Sequence, residues 1–460
     1  MKFEFDNMDK YKHIHLIGIG GISMSAIAET MKSFGYTVTG SDRQQSSITD
    51  NLISTGIPVV IGSDLENSKK ADLIVYSAAI KEDDPEIITA KENDVCLVDR
   101  GTFVGYLTKK YKESICISGT HGKTTTTSMI SLCFLEAKYD PTIQVGAILK
   151  QIDGNYKIGN SDYFILEACE YKRNFLKFFP KTEVVLNIDN DHLDYFKTFE
   201  NIKNTFIDYA KLLPSDGILV TNADDKNCLE LLNNTKATCY TYAINNKDAN
   251  YIAEDIVFDE NGFAKYKLYK DGKYVTDIKL SVAGMHNVLN SLACIAVCLA
   301  YKINIEVIKS ALSKFTGAHR RLEYVGTYNG ANIFDDYGHH PTEINATCNA
   351  IKNKSYNKSW VIFQPHTYSR TKNHLKEFAE ALTGFDNIIV TDIYAARETN
   401  TFGISSLDLV NKIKELGKEA IYIKDFKEIE NYIKNNVEKN DLVLTLGAGT
   451  VLDIGYSIVK

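Results

Sequence analysis

The chain has 460 residues, too many for one ordinary hydrophobic core, and this length predicts about three domains. Its formal net charge of -7 gives no support to nucleic-acid binding, which usually relies on a basic surface. Nine cysteines without a C-x-x-C spacing predict free thiols in a reducing compartment. The N-terminal residues lack the apolar core of a secretion signal, and no apolar run has the roughly 18 residues of a membrane span. We therefore expect a cytoplasmic protein, a monomer or homodimer, without nucleic-acid or membrane partners.

The first segment alternates apolar strands with helices. Strands are predicted over residues 13–17, 36–40 and 72–77, with a helix over about 24–34. Apolar strands separated by helices are typical of parallel sheets, so this order predicts a Rossmann-like α/β domain.

A glycine loop joins the first strand to the first helix. Gly18-x-Gly20-x-x-Ser23 is similar to the dinucleotide fingerprint, with Ser23 in place of the third glycine and Asp42 as a candidate ribose partner. Three interpretations are open: a nicotinamide site, a pyrophosphate site for a nucleotide sugar, and a structural turn. A phosphate loop further along the chain favours the second, because an enzyme that consumes ATP has less need of a hydride carrier.

The phosphate loop has the sequence S-G-T-H-G-K-T at residues 118–124, between an apolar strand at 114–117 and a helix at 125–136. Such a loop surrounds an anion with backbone N–H groups at a helix N-terminus. Lys123 adds a charge for the β- and γ-phosphates, and Thr124 offers a hydroxyl to Mg²⁺. Only two residues separate Gly119 from Gly122, so the loop is shorter than G-x-x-x-x-G-K-[ST].

Polar residues follow the next strands of this second segment, which are predicted over 163–166, 184–188 and 217–220. Glu167 and His192 stand after two of these strands, where α/β sheets bind ligands. A carboxylate and an imidazole there suit a divalent cation that bridges phosphate oxygens. By chemistry alone, three neighbouring carboxylates are equally plausible ligands: Asp189, Asp191 and Asp194.

Residues 237–282 differ from the rest of the second segment. Strands are predicted over 251–258, 264–269 and 274–280, with tight turns at Asn261-Gly262 and Asp271-Gly272. The pattern predicts an antiparallel insert.

Several polar groups precede or open the helices that follow. Asn287 and Asn290 share a face of the helix over 287–301, and their carboxamides can read an adenine edge. Arg321 lies where the second segment meets the third, and an arginine at such a hinge can reach a γ-phosphate.

The third segment, from about residue 322, predicts a second doubly wound unit with strands at 359–363, 387–391, 420–423 and 441–446. Before its first long helix it has the run D-D-Y-G-H-H-P-T-E at 335–343, and Arg370 can hold a carboxylate bidentately.

Together these motifs resemble the Mur ligases of peptidoglycan synthesis over the whole chain. The resemblance rests on residues 15–25, 119–125, 167–170, 191–194, 284–290, 319–321, 335–343 and 364–366. It implies three domains: a nucleotide-sugar domain at 1–111, a P-loop-like ATPase domain at 112–321 and a Rossmann-like amino-acid domain at 322–460. It also implies that ATP and Mg²⁺ drive the ligation of L-alanine to the lactyl carboxylate of UDP-N-acetylmuramate, through an acyl phosphate.

The resemblance further implies a role for each matching residue. Lys123, Arg321 and His339 are the implied catalytic residues. The implied ATP contacts are Gly119, Thr120, His121, Gly122, Lys123, Thr124, Thr125, Asn287, Asn290, Arg321 and Asp336, and the implied metal ligands are Thr124, Glu167 and His192. The residues implied to bind the nucleotide sugar are Gly20, Gly21, Ile22, Ser23 and Asp42, and those implied to bind alanine are Tyr337, His339 and Arg370.

Two positions depart from the family pattern. Cys169 replaces an acidic residue after Glu167, so the metal role is transferred only to Glu167. Thr367 stands where some members have arginine, so Arg370 alone carries the carboxylate-binding role.

Three other functions stay open on the sequence. An NAD-dependent oxidoreductase would use the first glycine loop but leaves the phosphate loop unexplained. A nucleotide-gated regulatory module would bind ATP without ligation. A recycling ligase of the same family would attach a whole peptide instead of one amino acid.

Overall fold

The computed structural model describes residues 3–77, 79–396 and 398–460, except for the side chain of Asp194. The chain divides into two compact units. Unit 1 comprises Met1–Ile188, Thr198–Thr221 and Asp225–Tyr240, and unit 2 comprises Asp189–Lys197, Asn222–Asp224 and Thr241–Lys460. Among the described helices, none combines the length and the apolar character needed to cross a membrane.

Unit 1 opens with a five-stranded sheet in the order β3-β2-β1-β4-β5, and every neighbouring pair is parallel. Side-chain oxygens of Ser46, Asp64, Asp84 and Asp99 cap four of its helices by accepting hydrogen bonds from backbone N–H groups. The strands are β1 His13–Ile17, β2 Thr37–Asp42, β3 Val59–Ile61, β4 Leu73–Tyr76 and β5 Cys96–Asp99, and the helices are α1 Ile22–Ser33, α2 Ser47–Ser54, α3 Leu65–Lys70, α4 Pro85–Glu92 and α5 Arg100–Lys110.

Six neighbouring strands of a second sheet follow in the order β11-β10-β6-β9-β7-β8. All pairs among these six strands are parallel except the β7–β8 hairpin. The strands are β6 Glu113–Ser118, β7 Thr142–Leu149, β8 Gly154–Lys157, β9 Tyr163–Glu167, β10 Thr182–Val185 and β11 Ile218–Asn222, and the helices in this stretch are α6 Lys123–Glu136, α7 Leu193–Phe196 (in unit 2), α8 Phe199–Ala210 and α9 Lys226–Leu229.

The predicted antiparallel insert is confirmed. Both β13–β14 and β14–β15 are antiparallel, and positive φ angles at Asp271 and Gly272 form the tight turn that the Asp-Gly pair indicates. The strands are β12 Thr238–Ala243, β13 Tyr251–Phe258, β14 Phe263–Lys270 and β15 Lys273–Ala283, followed by helices α10 Met285–Ala300 and α11 Ile305–Lys314.

The C-terminal part of unit 2 holds a six-stranded sheet in the order β16-β17-β21-β18-β19-β20. Val361 and Phe363 belong to one buried apolar cluster, and Trp360 and Ile362 belong to another. Because alternate residues of a strand point to opposite faces, both faces of this sheet are covered, as predicted for a doubly wound domain. The elements are β16 Glu323–Tyr328, β17 Ala331–Asp336, β18 Ser359–Phe363, β19 Asn387–Val390, β20 Ala420–Tyr422, β21 Leu442–Leu446, α12 Pro341–Lys352, α13 Tyr368–Asn373, α14 Leu375–Leu382, α15 Ser406–Glu415, α16 Phe426–Asn436 and α17 Leu452–Val459.

The end of β10 differs from its prediction. The apolar run predicts a strand over 184–188, whereas the strand ends at Val185. Leu186 N still donates to Ser118 O, but Asn187 O accepts from Thr120 N. The chain therefore leaves the sheet at this point to bond the phosphate loop.

Gly40, on β2, offers a test of the packing behind the first glycine loop. A Cβ at this position would lie 2.7 Å from Leu16 O and 2.5 Å from Ile19 Cδ1, and the Leu16 contact is with backbone that cannot rotate away. We expect Gly40→Ala to destabilise unit 1 by about 1–3 kcal/mol, measured by the midpoint of urea unfolding. Gly154→Ala is the matched control, because its Cβ would meet atoms no nearer than 3.8 Å. Equal midpoints for the two variants would contradict this packing.

Candidate active site

The phosphate loop connects the end of β6 to the start of α6. Gly119 and Gly122 have φ angles of +125° and +88°, in the region that favours glycine. A Cβ at Gly119 would also lie 3.0 Å from Leu186 N. Gly122 is the N-cap of α6, so the loop leads directly into the N-terminus of this helix. The predicted strand, loop and helix are all present.

Asn187 holds this loop from the segment that follows β10. Its Oδ1 accepts from His121 N at 2.8 Å, and its Nδ2 donates to His121 O at 3.0 Å. Its backbone O accepts from Thr120 N at 3.2 Å. This role was not predicted from the sequence, although an asparagine inside an apolar run is a recognisable signal.

Lys123 is held within the loop that it follows. Its Nζ donates to Thr120 O at 3.0 Å and to Gly119 O, and it forms an ion pair with Glu170 Oε2 at 3.2 Å. Burial favours the neutral amine, but the neighbouring carboxylates, Glu170 first, outweigh it and raise the pKa of Lys123 above its usual value. Lys123 is therefore an ammonium at neutral pH. Glu170 is a second residue that the sequence analysis missed.

Thr124 and Glu167 lie at the ends of two neighbouring strands, Thr124 in the helix after β6 and Glu167 at the end of β9. Thr124 is buried in the first turn of this helix, α6, and β9 pairs with β6. The Glu167 carboxylate accepts from Gly146 N at 2.5 Å. A Cβ at Gly146 would lie 2.8 Å from this carboxylate, so a larger residue here would displace the carboxylate from its present position. A hydroxyl and a carboxylate are donors that Mg²⁺ prefers.

The first glycine loop uses Asp42 for its own structure. Asp42 Oδ2 accepts from Gly20 N at 2.9 Å, and a Cβ at Gly20 would lie 2.9 Å from the same oxygen. Gly21 is the N-cap of α1, and Ile22 and Ser23 begin this helix. The loop therefore presents a helix N-terminus, and the predicted ligand partner Asp42 braces the loop.

In unit 2, Asn287 and Asn290 meet on the buried face of α10. Asn290 Nδ2 donates to Asn287 Oδ1 at 3.0 Å, as their spacing of three residues predicts. Asn287 Nδ2 donates to Ala283 O at 2.7 Å. Some of the carboxamide groups that were predicted to bind adenine therefore bond other groups of the protein.

Asp336, predicted as a ribose contact, is buried at the end of β17. One carboxylate oxygen accepts from Leu322 N and the other from Gly338 N, each at 2.7 Å. Burial raises the pKa of Asp336 to about 6, against the opposing effect of Arg321.

The two adjacent arginines lie against the Tyr337 ring and have different partners. Arg320 bonds Asp335 Oδ2 at 2.8 Å and the carbonyl oxygens of Gly447 and Gly449, so it joins strands within the C-terminal sheet. Arg321, the predicted catalytic arginine, has its guanidinium 5.4 Å from the Tyr337 ring centre and 3.8 Å from Glu343.

Arg370 gathers a polar cluster with Asp191, His366 and His339. Arg370 donates to Asp191 Oδ1 and to His366 Nδ1, each at 3.1 Å, and the His366 and His339 rings are 5.5 Å apart. Burial alone would raise the pKa of Asp191, but His192, Arg370 and His340 together lower it. The predicted alanine-binding Arg370 thus already has one carboxylate partner.

Two histidines in this region have predicted roles: His192 as a metal ligand and His339 as a catalytic and alanine-binding residue. His192 is the N-cap of α7 with a φ of +56°, and its Nε2 lies 3.8 Å from Asp191 Oδ2. Burial lowers the pKa of His339, whose Nδ1 lies 3.1 Å from Tyr337 O, so His339 is neutral at pH 7. Among the other candidate carboxylates, Asp189 accepts from Thr342 Oγ1 at 2.7 Å, and the side chain of Asp194 lies outside the described part of the chain.

Thr367 stands at the position where some members of the family have arginine, and it has a structural role here. It is the N-cap of α13, with a φ of +65°, and its Oγ1 accepts from Arg370 N at 3.4 Å. It therefore fixes the start of the helix that carries Arg370.

Comparison with known proteins covers the whole chain. Three family models match: the Mur ligase family catalytic domain over 13–112, the Mur ligase middle domain over 117–298 and the Mur ligase glutamate ligase domain over 320–449. A UDP-N-acetylmuramate–L-alanine ligase of Acetivibrio thermocellus is 49% identical over 98% of this chain and 96% of its own. Its counterpart from Clostridium beijerinckii is 47% identical over the full length of both.

Solved structures show the same fold. The UDP-N-acetylmuramate–alanine ligase of Thermotoga maritima has a TM-score of 0.82 and 30% identity, covering 98% of each chain. A murein peptide ligase from Psychrobacter arcticus has a TM-score of 0.69 and 24% identity, over 97% of this chain and 98% of its own.

His366 provides a test of the Arg370 cluster. Burial, with His339 and Arg370 nearby, lowers the pKa of His366 to about 4, against the weaker effect of Asp191. Because Arg370 always donates, His366 Nδ1 must accept, and only an imidazole without a proton on Nδ1 can do so. We expect the His366 imidazole to stay neutral down to about pH 5, as reported by the chemical shifts of its ring in an NMR titration.

The lowered pKa of His366 makes the stability of the fold depend on pH. The unfolded chain takes up a proton at His366 below about pH 6.5, whereas the folded chain does so only near pH 4, so stability falls as the pH drops through this window. The loss is up to about 2 kcal/mol after allowing for the partial solvent exposure of the ring. His366→Gln should lose this part of the pH dependence in urea unfolding, and an unchanged slope would contradict the assignment.

Proposed function

This chain belongs to the Mur ligase family, and we propose that it joins L-alanine to the lactyl carboxylate of UDP-N-acetylmuramate, with ATP converted to ADP and phosphate. The observation that carries the proposal is full-length similarity to ligases of that name, at 49% identity over 98% of the chain. The glycine loop at the N-terminus of α6 supports ATP as the energy source, because a helix N-terminus binds phosphate.

Lys123 is the residue that we propose for the γ-phosphate. Transfer of this phosphate brings an attacking carboxylate toward an anion, and the like charges must be offset. The Glu170 ion pair keeps Lys123 charged and next to the loop before ATP binds. Reaching the phosphates requires only that the ammonium exchange its loop carbonyl and carboxylate partners for phosphate oxygens. The remaining loop residues, Gly119 to Gly122 with Thr125, cradle the phosphates.

Thr124 and Glu167 are suited to hold Mg²⁺, and we propose His192 as a ligand of a second Mg²⁺. The fit rests on their chemistry and on the space that Gly146 leaves beside the Glu167 carboxylate. Magnesium would neutralise charge on the transferred phosphate. When the ion binds, Glu167 retains a second carboxylate oxygen beyond the one that accepts from Gly146 N.

The acceptor half-reaction is assigned to residues of unit 2. The lactyl carboxylate becomes an acyl phosphate, the alanine amine attacks its carbonyl carbon, and phosphate leaves. His339 is neutral at pH 7 and can take the proton that the amine releases. Tyr337 and Arg370 orient alanine, with Arg370 exchanging its Asp191 contact for the substrate carboxylate or sharing it. Arg321 adds positive charge near the phosphates.

The two nucleotides are assigned to separate sites. Gly20 to Ser23, at the N-terminus of α1, are proposed to bind the diphosphate of the nucleotide sugar, with Asp42 bracing the loop near uridine. The adenine of ATP is assigned to Asn287 and Asn290, and its ribose to Asp336.

The predicted boundaries remain part of the proposal. Residues 1–111 take the nucleotide sugar, 112–321 take ATP, and 322–460 take alanine. We also propose a cytoplasmic location and a monomer or homodimer without nucleic-acid or membrane partners. In the described part of the chain, which includes all nine cysteines, none forms a disulfide, and this supports a reducing compartment.

The proposed reaction is tested by phosphate release from ATP and Mg²⁺ with UDP-N-acetylmuramate and a panel of amino acids and short peptides. Release that requires the nucleotide sugar and peaks with L-alanine is the expected result. A peak with a tripeptide would instead indicate a ligase that recycles peptides. No release with any acceptor would overturn the proposed function.

Lys123→Ala should abolish ligation, with a fall in kcat of at least about 1,000-fold, because the charge beside the transferred phosphate is lost. Binding of UDP-N-acetylmuramate, measured by calorimetry, should stay within about 2-fold of the unchanged protein, since Lys123 does not belong to that site. Lys112→Ala, at an exposed lysine outside the loop, is the matched control and should ligate normally. An active Lys123→Ala protein would disprove the assignment.

A further inference from the structure

The β7–β8 hairpin contacts the start of α1, although the two are far apart in sequence. Gln144 Nε2 on β7 donates to Ser23 Oγ at 2.7 Å. Asn155 Nδ2 on β8 donates to Ile22 O at 3.1 Å. The Tyr156 hydroxyl bonds the Thr30 hydroxyl further along α1. All these contacts lie within unit 1, and one of them involves a side chain assigned to the nucleotide sugar.

Gln144 is fixed by the sheet on both sides. It pairs with Leu166 of β9 and with Tyr156 of β8. Two residues further along β7, Gly146 N bonds the Glu167 carboxylate. Pairing on both sides fixes the Gln144 backbone, and from this position its side-chain amide reaches Ser23 Oγ.

The direction of the Gln144 bond determines what Ser23 can do. A serine hydroxyl has one hydrogen and can accept at its oxygen. Since Ser23 Oγ accepts from Gln144, its hydrogen is left to be donated to another acceptor. Ser23 is the second residue of α1, where backbone N–H groups and the helix dipole favour an anion.

We infer that Gln144 is a positioning residue for the sugar nucleotide: by donating to Ser23 Oγ, it directs the Ser23 hydroxyl hydrogen to a diphosphate oxygen of the substrate. The inference rests on the proposed function, because it takes the diphosphate of UDP-N-acetylmuramate as the anion at α1. Gln144 itself does not contact the reacting atoms. It acts through Ser23.

Two substitutions of Gln144 separate this role from simple packing. Gln144→Ala removes the donor but leaves the Ser23 hydroxyl able to rotate, so we expect affinity for UDP-N-acetylmuramate to fall about 5-fold. Gln144→Glu has nearly the same shape, but a carboxylate can only accept. It would capture the Ser23 hydrogen and add a negative charge near the diphosphate, so affinity should fall about 100-fold.

Asn155→Ala is the matched control. It also removes one amide bond between the hairpin and α1, but the bond is to the Ile22 backbone oxygen and leaves the Ser23 hydroxyl unchanged. We expect affinity for UDP-N-acetylmuramate within about 2-fold of the unchanged protein. An effect equal to that of Gln144→Ala would mean that the hairpin only docks on the helix, and it would overturn the inference.

The measurements are calorimetric binding of UDP-N-acetylmuramate without ATP, and steady-state KM values for both nucleotides. The KM for the sugar nucleotide should rise in the Gln144 variants while the KM for ATP stays unchanged. In a Ser23→Ala background, Gln144→Ala should have little further effect, because the two residues act through one bond. If Gln144→Glu fails to fold, this double-mutant cycle still tests whether Gln144 acts through Ser23.

Each negative outcome has a distinct meaning. If Gln144→Glu binds the sugar nucleotide as tightly as the unchanged protein, Gln144 does not direct the Ser23 hydrogen. Additive effects of Ser23→Ala and Gln144→Ala would overturn the inference in the same way. If the unchanged protein does not bind UDP-N-acetylmuramate at all, the proposed function fails.

Discussion

The bond between the phosphate loop and the chain after β10 is the constraint on which the proposed ATP site depends. Gly119 and Gly122 give the loop a conformation that other residues rarely adopt, and Asn187 holds it with its side chain and its backbone. The N-terminus of α6 is thereby fixed relative to β6, and Lys123 and Thr124 take their positions from that helix. For this purpose β10 ends earlier than its apolar sequence would allow, because Asn187 must face the loop.

Two of the cations that are proposed to bind substrate form ion pairs with protein carboxylates. Lys123 pairs with Glu170, and Arg370 pairs with Asp191. Buried ion pairs contribute little net stability, because the cost of removing both charges from water offsets their attraction. Their effect here is geometric: each cation keeps its charge and a defined position. In the proposed reaction, a substrate phosphate or carboxylate would take the place of the protein carboxylate, so that neither cation is left buried without a partner.

The residues proposed to bind ligands follow the same rule of sheet architecture in both units. Ligand-binding residues of open α/β sheets gather where strands end and helices begin. Gly20 to Ser23 follow β1, the phosphate loop follows β6, Glu167 ends β9, and Asp336 ends β17. The β7–β8 hairpin adds a contact that this rule does not supply, because it brings Gln144 from the second sheet to the helix that follows β1.

The sequence by itself determined the elements whose signals are local. Apolar runs specified β1, β13 and β18 to the residue, and the Asn-Gly and Asp-Gly pairs specified the antiparallel insert. The glycine loops were recognisable because their chemistry is contained in a few consecutive residues. The hairpins β7–β8 and β16–β17 escaped prediction because their strands lack a clear alternation of apolar and polar residues.

Only the tertiary structure decided which side chains meet. Four of these pairs are far apart in the sequence. The separation is 66 residues for Asn187 and His121, 47 for Glu170 and Lys123, 179 for Asp191 and Arg370, and 121 for Gln144 and Ser23. Contacts at such distances depend on the order in which strands join a sheet and on how elements pack. Local sequence carries neither kind of information, so the predicted ligand residues could be named before the structure was known, but the partners that hold them could not.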